Sequence, residues 1–331
     1  MRFILTIDTE ADNQWNHGRI LDTQNIKYLP RFQSLCNRFN IKPTYLVTSE
    51  ICADPIAQDL LTHFISQNAA EVGAHLHVWS TPPFKSDEGY TLNDSNHPFA
   101  NELSKEFISE KIRILTDQIE ASFHKRPTSF RSGRYGFSEE IAEVLVDNGY
   151  VVDSSITPYI DWSSHKGLPD GSGGPNFLRY TPKPFRYTFD NGHLLEIPIT
   201  ILPTKFPLNA NDLLARYYFQ HVKSSMLMRI LKKLYFKRQP LWLRPNLWMS
   251  QNLFNDLINE ARKRGLPYLV MMFHSSELMP GGSIYWKDSD DIEKLFCSLE
   301  QFFLLLESQK ISSVTLTQAA KESEYENMLL G

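Results

Sequence analysis

The chain has 331 residues, 42% of them hydrophobic and 22% charged, a balance that supports a buried core and excludes a disordered chain. A formal net charge of −4 excludes a protein that coats nucleic acid with cations over its whole surface. Three scattered cysteines, Cys36, Cys52 and Cys297, cannot build a disulfide framework or an all-cysteine zinc site, and they suit a reducing compartment.

The first element is a short β-rich run, RFILTI (2–7), that ends at acids. Its apolar stretch is too short for a secretory leader, and no segment has the roughly 18 apolar residues of a membrane span. The expected location is therefore the cytoplasm. Residues 23–39 have helical spacing, with Thr23 as cap and Pro30 placed to kink the helix. PTYLV (43–47) reads as a strand, 55–68 as a helix and EVGAHLH (71–77) as a third strand. A long amphipathic helix covers 102–123, followed by the strand SFRS (129–132) and a helix from the cap Ser138 to Asn148. YVVDSS (150–155) is a further strand, 163–184 a long Gly/Pro/Ser-rich loop, and 185–189 with 193–199 a hairpin around Asp190-Asn191-Gly192. A mostly helical stretch follows at 211–238, then a helix at 251–264, the strand PYLVMMFH (267–274), a long helix at 290–308 and a short one at 315–323.

Strands alternating with helices predict an α/β protein with a parallel sheet or barrel inside a helical layer. Such folds carry their chemistry at the C-terminal strand ends. Asp8 and Glu10 end the first strand, His75 and His77 the third, Arg131 a fourth, Asp153 a fifth and His274 the last central one. A lone His-x-His on a strand fits a surface pair as well as a metal site, because residues two apart share a face. Five strands that all end in reactive side chains favour the site.

Those same segments, in this order, resemble the polysaccharide deacetylases of carbohydrate esterase family 4. LTIDTE is similar to the family's first motif, GAHLHVW to the second, SFRSGRYGF to the third, VVDSSITP to the fourth and LVMMFHSSE to the fifth. The resemblance spans about residues 2–280. GAHLHVWSTPP, PTSFRSGRYGF and FHSSELMPGGS resemble a branch found in bacterial surface-glycan biosynthesis. It implies a distorted, incomplete (β/α)7-type barrel forming a single catalytic domain over 1–331, with a loop, hairpin and helical insertion at about 160–250. The sequence departs from the family at three places, one of them an extra residue between Arg131 and Tyr135 in the third motif. Thr9 stands where a second aspartate is usual, with Glu10 the nearest carboxylate, and Trp79 stands where the second histidine is usual, so that His77 or His97 must substitute.

The implied activity is metal-dependent removal of an N-acetyl group from a sugar in a glycan, glycolipid or nucleotide-sugar precursor. One divalent cation, expected to be zinc, suits a His-His-carboxylate set of His75, His77 and Glu10, with Asp8 as the alternative carboxylate ligand. Asp8 aligns with the family's general base, held ionised by Arg131, and His274 with the general acid. Asp153 resembles the residue that orients the acid histidine. The backbone near Tyr135 resembles an oxyanion contact, and Trp79 and Arg134 are grouped with it on the substrate side.

Outside the motifs, Leu213 to Asn255 contains no acid and eight basic residues: Arg216, Lys223, Arg229, Lys232, Lys233, Lys237, Arg238 and Arg244. This segment reads either as a solvated basic helix or as a surface, 213–244, for an anionic membrane or lipid-linked carrier, set apart from the barrel site. A sugar-binding protein without catalysis, and a metal hydrolase of another C–N bond such as a cyclic amide, are the competing functions.

Overall fold

A computed structural model describes residues 1–12, 22–84, 98–166 and 171–330. In the first half these form β1 (Arg2–Thr9), α1 (Leu29–Arg38), β2 (Pro43–Val47), α2 (Ser49–Cys52), α3 (Pro55–Ser66), β3 (Glu71–Leu76), α4 (Lys105–Phe123), β4 (Ser129–Ser132), α5 (Glu139–Asp147) and β5 (Val152–Asp153). The second half adds β6 (Phe185–Phe189), β7 (Gly192–Glu196), β8 (Ile201–Leu202), α6 (Asp212–His221), α7 (Met226–Leu234), β9 (Leu241–Trp242), α8 (Gln251–Lys263), β10 (Tyr268–His274), α9 (Ser289–Ser308) and α10 (Leu316–Leu330). Eight strands make one curled sheet in the order β10-β1-β2-β3-β4-β5-β7-β6, parallel except for β6 at the edge. The chain is thus an α/β protein with an incomplete barrel, as the strand–helix alternation predicts. Beyond β7 the backbone bridges part of the gap. Ile199 N donates to Ile156 O at 3.0 Å and Thr200 N to Val270 O at 3.2 Å.

Strand alternation sorts the side chains into two layers. Phe3, Leu5 and Ile7 of β1 face the helices, with Leu269, Met271 and Phe273 of β10 in the same outer core. Ile4, Leu46, Val152, Leu195 and Val270 meet inside the barrel, where Leu316, Ala319 and Ala320 of α10 close the N-terminal end. Tyr268 Oη donates to Ala319 O at 3.0 Å to hold that plug. Towards the C-terminal strand ends the interior turns polar. Thr6 and Asp8 follow Ile4 on the same face of β1, and His75 follows Gly73 on β3. One fold therefore sets an apolar floor beneath a charged rim.

Several boundaries differ from the sequence reading. The chain enters α1 through a 3₁₀ turn at Gln24–Tyr28, and Pro30 sits in the first turn of α1 instead of kinking a longer helix. Thr23 donates its hydroxyl to Asp54 at 2.6 Å and caps nothing. The helix expected from 102 begins at Lys105 because Ser104 caps it. The strand expected over 150–155 is paired only at Val152–Asp153, since Ser154 and Ser155 already turn into the rim. Residues 211–238 form two helices, and part of the long loop, 167–170, lies outside the described residues.

Gly73 shows how tightly the interior is packed. A Cβ there would collide with Ser129 Oγ and lie 2.8 Å from Leu46 Cδ2. Gly73→Ala should therefore cost about 1–3 kcal/mol by overpacking, read as a lower urea midpoint at unchanged slope.

Candidate active site and metal centre

The rim collects Asp8 of β1 and Glu10 just beyond it, His75 of β3 and His77 just beyond it, and His274 of β10, all lining one cavity of about 840 Å³. Arg131 of β4 lies beneath it, fully buried. Its Nη1 donates to Asp8 Oδ1 at 2.7 Å and to Thr6 Oγ1 at 2.9 Å. Its Nε and Nη2 donate to the carbonyl and hydroxyl of Ser154 at 2.7 and 3.1 Å. The guanidinium thus ties β4 to β1 on one side and to the end of β5 on the other. Burial works to raise the Asp8 pKa, but Arg131, His75 and His274 together outweigh it, and the carboxyl is held below its usual range.

His75 Nδ1 lies 3.0 Å from the Arg131 carbonyl oxygen. A carbonyl only accepts, so Nδ1 carries a proton, and Nε2 is the ring nitrogen left facing the cavity as a potential ligand. That Nε2 lies 2.9 Å from His77 Nε2 and 3.6 Å from Glu10 Oε2, and His77 Nε2 lies 3.0 Å from the same Glu10 oxygen. Ligands about 2.0–2.1 Å from a tetrahedral zinc ion sit roughly 3.3 Å apart. The spacing of these three atoms fits one such ion, and Glu10, His75 and His77 form a buried group able to hold a metal. Asp8 Oδ2, at 3.9 Å from His75 Nε2, is next in reach. Burial lowers the His77 pKa to about 4, which keeps its ring neutral, as a ligand requires. His97 lies outside the described residues.

Two packing details hold the histidine strand end in place. A Cβ on Gly133 would meet Leu76 O at 2.6 Å and the His77 ring at about 3.0 Å, so only glycine lets the turn after β4 pass so close. Beyond His77, the buried Lys111 of α4 donates to the carbonyls of Val78, Thr81 and Pro83 at 3.0, 2.6 and 2.7 Å. The sequence carries no signal for that lysine, which looks like one charge on an amphipathic helix.

His274 is held differently from the expectation. Its Nδ1 lies 3.0 Å from Glu277 Oε1, and Glu277 is gripped in turn by Arg244 Nη2 at 2.7 Å and Trp286 Nε1 at 3.2 Å. Burial works to lower the His274 pKa, but Glu10 and then Glu277 outweigh it, and the pKa is raised. Asp153, expected to orient His274, faces the other way. Its neighbours Val152 and Ser154 point into the barrel, Val152 in the inner core and Ser154 on Arg131, so alternation turns Asp153 outwards. There Oδ2 accepts from Ser155 N at 2.8 Å and Oδ1 from Ser155 Oγ at 2.7 Å. The orienting carboxylate is Glu277, three residues beyond His274 at the start of a 3₁₀ turn. That His-x-x-Glu spacing was the available signal.

Tyr135, Trp79 and Arg134 also line the cavity. Trp79 packs edge-on against the His77 ring, centroids 4.3 Å apart. Arg134 and Tyr135 both take left-handed backbone conformations, φ 52° and 62°, a strained turn of the kind that gathers at functional sites. The turn lays Tyr135 against Trp162 at 5.3 Å, with Trp242 at 6.1 Å, and sets Arg134 over the Phe99 ring at 5.0 Å. Neither Trp162 nor Trp242 was singled out for the site from sequence. The basic segment also differs from expectation. It does not lie apart, because Lys232, Lys237, Arg238 and Arg244 line this same cavity.

Asp153 shares its buried outer position with Glu196, its register partner on β7. Burial and then the charge of Asp153 push the Glu196 carboxyl well above its usual pKa, so Glu196 carries the proton and donates to Asp153. A raised folded-state pKa gives stability that is present below the unfolded value, about 4.3, and lost as pH rises through the folded one. Glu196→Gln keeps a donor for Asp153 and removes the titration. Wild type should lose stability relative to this variant as pH climbs above the ordinary glutamate range, read from urea midpoints across pH.

No protein-family model matches the chain, and no curated protein matches it by sequence. Solved structures do. A Mycobacterium smegmatis protein assigned as a polysaccharide deacetylase superposes with a TM-score of 0.57 at 12% identity, over 98% of this chain and 91% of that one. Looser likenesses include a family 4 carbohydrate esterase from Streptomyces lividans in complex with acetate (TM-score 0.41, 10% identity, 94% and 91% covered). Another is a family 4 pseudoenzyme from Bacillus anthracis (0.42, 13%, 96% and 65%). The chain has the fold of the polysaccharide deacetylases.

Proposed function

We propose that the protein is a metal-dependent hydrolase that removes an N-acetyl group from an N-acetylated sugar in a glycan, glycolipid or nucleotide-sugar precursor. The observation that carries this reading is the convergence of Glu10 Oε2, His75 Nε2 and His77 Nε2 within 3.6 Å of one another, beside Asp8. A divalent cation held there would supply a water of lowered pKa and polarise the amide carbonyl. Asp8, fixed through Oδ1 by Arg131, keeps Oδ2 towards the histidines and takes a proton from the attacking water. His274, charged with the help of Glu277, gives a proton to the departing amine on the other side of the acyl carbon. The Tyr135–Trp162–Trp242 wall offers flat apolar faces for a sugar ring, and the cavity lies within the size range of small-molecule sites.

The experiment is a paired measurement of metal content and acetate release from N-acetyl sugars. His75→Ala and His77→Ala should lose stoichiometric metal. His274→Ala should keep it and lose turnover by about 10²–10⁴-fold. Full metal retention in both histidine variants overturns the metal centre, and near-normal turnover of His274→Ala overturns its role as acid. Wild type that holds metal and releases no acetate favours hydrolysis of another C–N bond, and wild type without metal favours a sugar-binding protein.

Glu277 has its own signature. Removing its charge lowers the pKa of His274, so the alkaline limb of the activity–pH profile should move to lower pH in Glu277→Gln. The shift expected for one close opposite charge is about one unit or more. An unmoved limb with lower activity would make Glu277 only a prop for Arg244.

A further inference from the structure

Helix α7 buries none of its side chains completely. Met228 rests against the small core under α6, and Tyr218 Oη donates to its carbonyl at 3.2 Å. Met226, Leu227, Ile230, Leu231 and Leu234 are 40–78% exposed. They fall at helical spacing, so they form one continuous apolar stripe. Leu213, Leu214 and Tyr217 of α6 extend the exposed apolar area. Apolar side chains grouped this way mark an interaction surface.

Charge says what the surface meets. Lys232 lies opposite this stripe, Arg229 to one side of it and Lys233 at its edge beside Met226, and Lys237 follows the helix. None of these four pairs with a carboxylate among the described residues, and the segment from Leu213 to Asn255 contains none of its own. A second copy docked on the stripe would cover the leucines and leave these cations without an anionic partner. A bilayer carrying anionic headgroups satisfies both faces, with acyl chains under the leucines and headgroups beside the lysines. Among the described residues no helix is long and apolar enough to cross a membrane, so the geometry is that of a helix lying in the interface.

We infer that α7, extended by α6, docks the protein on an anionic membrane surface. The position of α7 gives the docking a consequence. Lys232 on its basic side and Lys237 and Arg238 just after it line the cavity that holds Glu10, His75 and His77. Docking brings the mouth of that cavity to the headgroup layer, where a sugar carried on a phosphorylated lipid presents its anion to these cations and its ring to the aromatic wall.

The test is co-sedimentation of the full chain with phosphatidylcholine vesicles, with and without phosphatidylglycerol, over a range of salt. Wild type should pellet with the anionic vesicles at low salt and be released as salt screens the attraction. Leu227→Glu/Leu234→Glu should weaken binding on the order of 10²-fold, since two exposed leucines lose their apolar burial. Neither leucine is buried or lines the cavity, so this variant should keep its melting temperature and its activity on a soluble N-acetyl sugar. Arg229→Glu/Lys233→Glu should lose anionic binding in the same way. Wild type that pellets with neither vesicle at any salt overturns the inference. So does a wild-type dimer that the leucine variant converts to monomer. Vesicle binding is read without turnover and without metal, so its failure leaves the proposed chemistry standing, and the reverse.

Discussion

The interaction on which the site depends is the burial of Arg131 inside the barrel. A guanidinium removed from water is costly unless every donor direction is used. Here it bonds Asp8, Thr6 and both oxygens of Ser154. Breaking such a buried pair by deleting one partner costs about 3–5 kcal/mol, because the survivor keeps its charge without compensation. The same residue supplies the carbonyl that accepts from His75 Nδ1. One residue of β4 therefore sets the ionisation of Asp8 through its side chain and orients the His75 ring through its backbone.

Around that anchor the charges are separated into two systems. Glu10, His75 and His77, with Asp8 beside them, form the side able to hold a cation. His274, Glu277 and Arg244 form a chain on the other, in which each member fixes the next: Arg244 on Glu277 at 2.7 Å and Glu277 on His274 at 3.0 Å. Burial strengthens both systems by lowering the local dielectric, and each carboxylate is therefore matched by a cation or a ring nitrogen. The arrangement drives the two titrating groups apart, Asp8 below its usual range and His274 above, the separation that the proposed base and acid require at one pH.

The segment from about 160 to 250 does what the barrel cannot. A barrel rim alone is shallow. This segment adds Trp162 and Trp242 as a wall and Lys232, Lys237 and Arg238 as a basic lip. It also supplies Arg244, the residue that holds Glu277. The chain thus uses one excursion both to deepen the cavity and to complete the support of His274.

Much of the barrel was legible because strands announce themselves locally. RFILTI, PTYLV, SFRS and YLVMMFH are short β-rich runs, and reactive side chains at their ends mark the rim by position alone. That placed Asp8, Glu10, His75, His77, Arg131 and His274 in one neighbourhood. What the sequence left open was which way a side chain faces and what lies opposite it. Asp153 sits in a strand of two paired residues, too short for alternation to be read, and only its register against Phe130 and Glu196 turns it outwards. Arg244 reaches Glu277 across 33 residues, and Lys232 reaches the cavity from a helix with no motif. Pairings of that separation depend on how the excursion folds back over the rim, and no local pattern of polarity encodes that path.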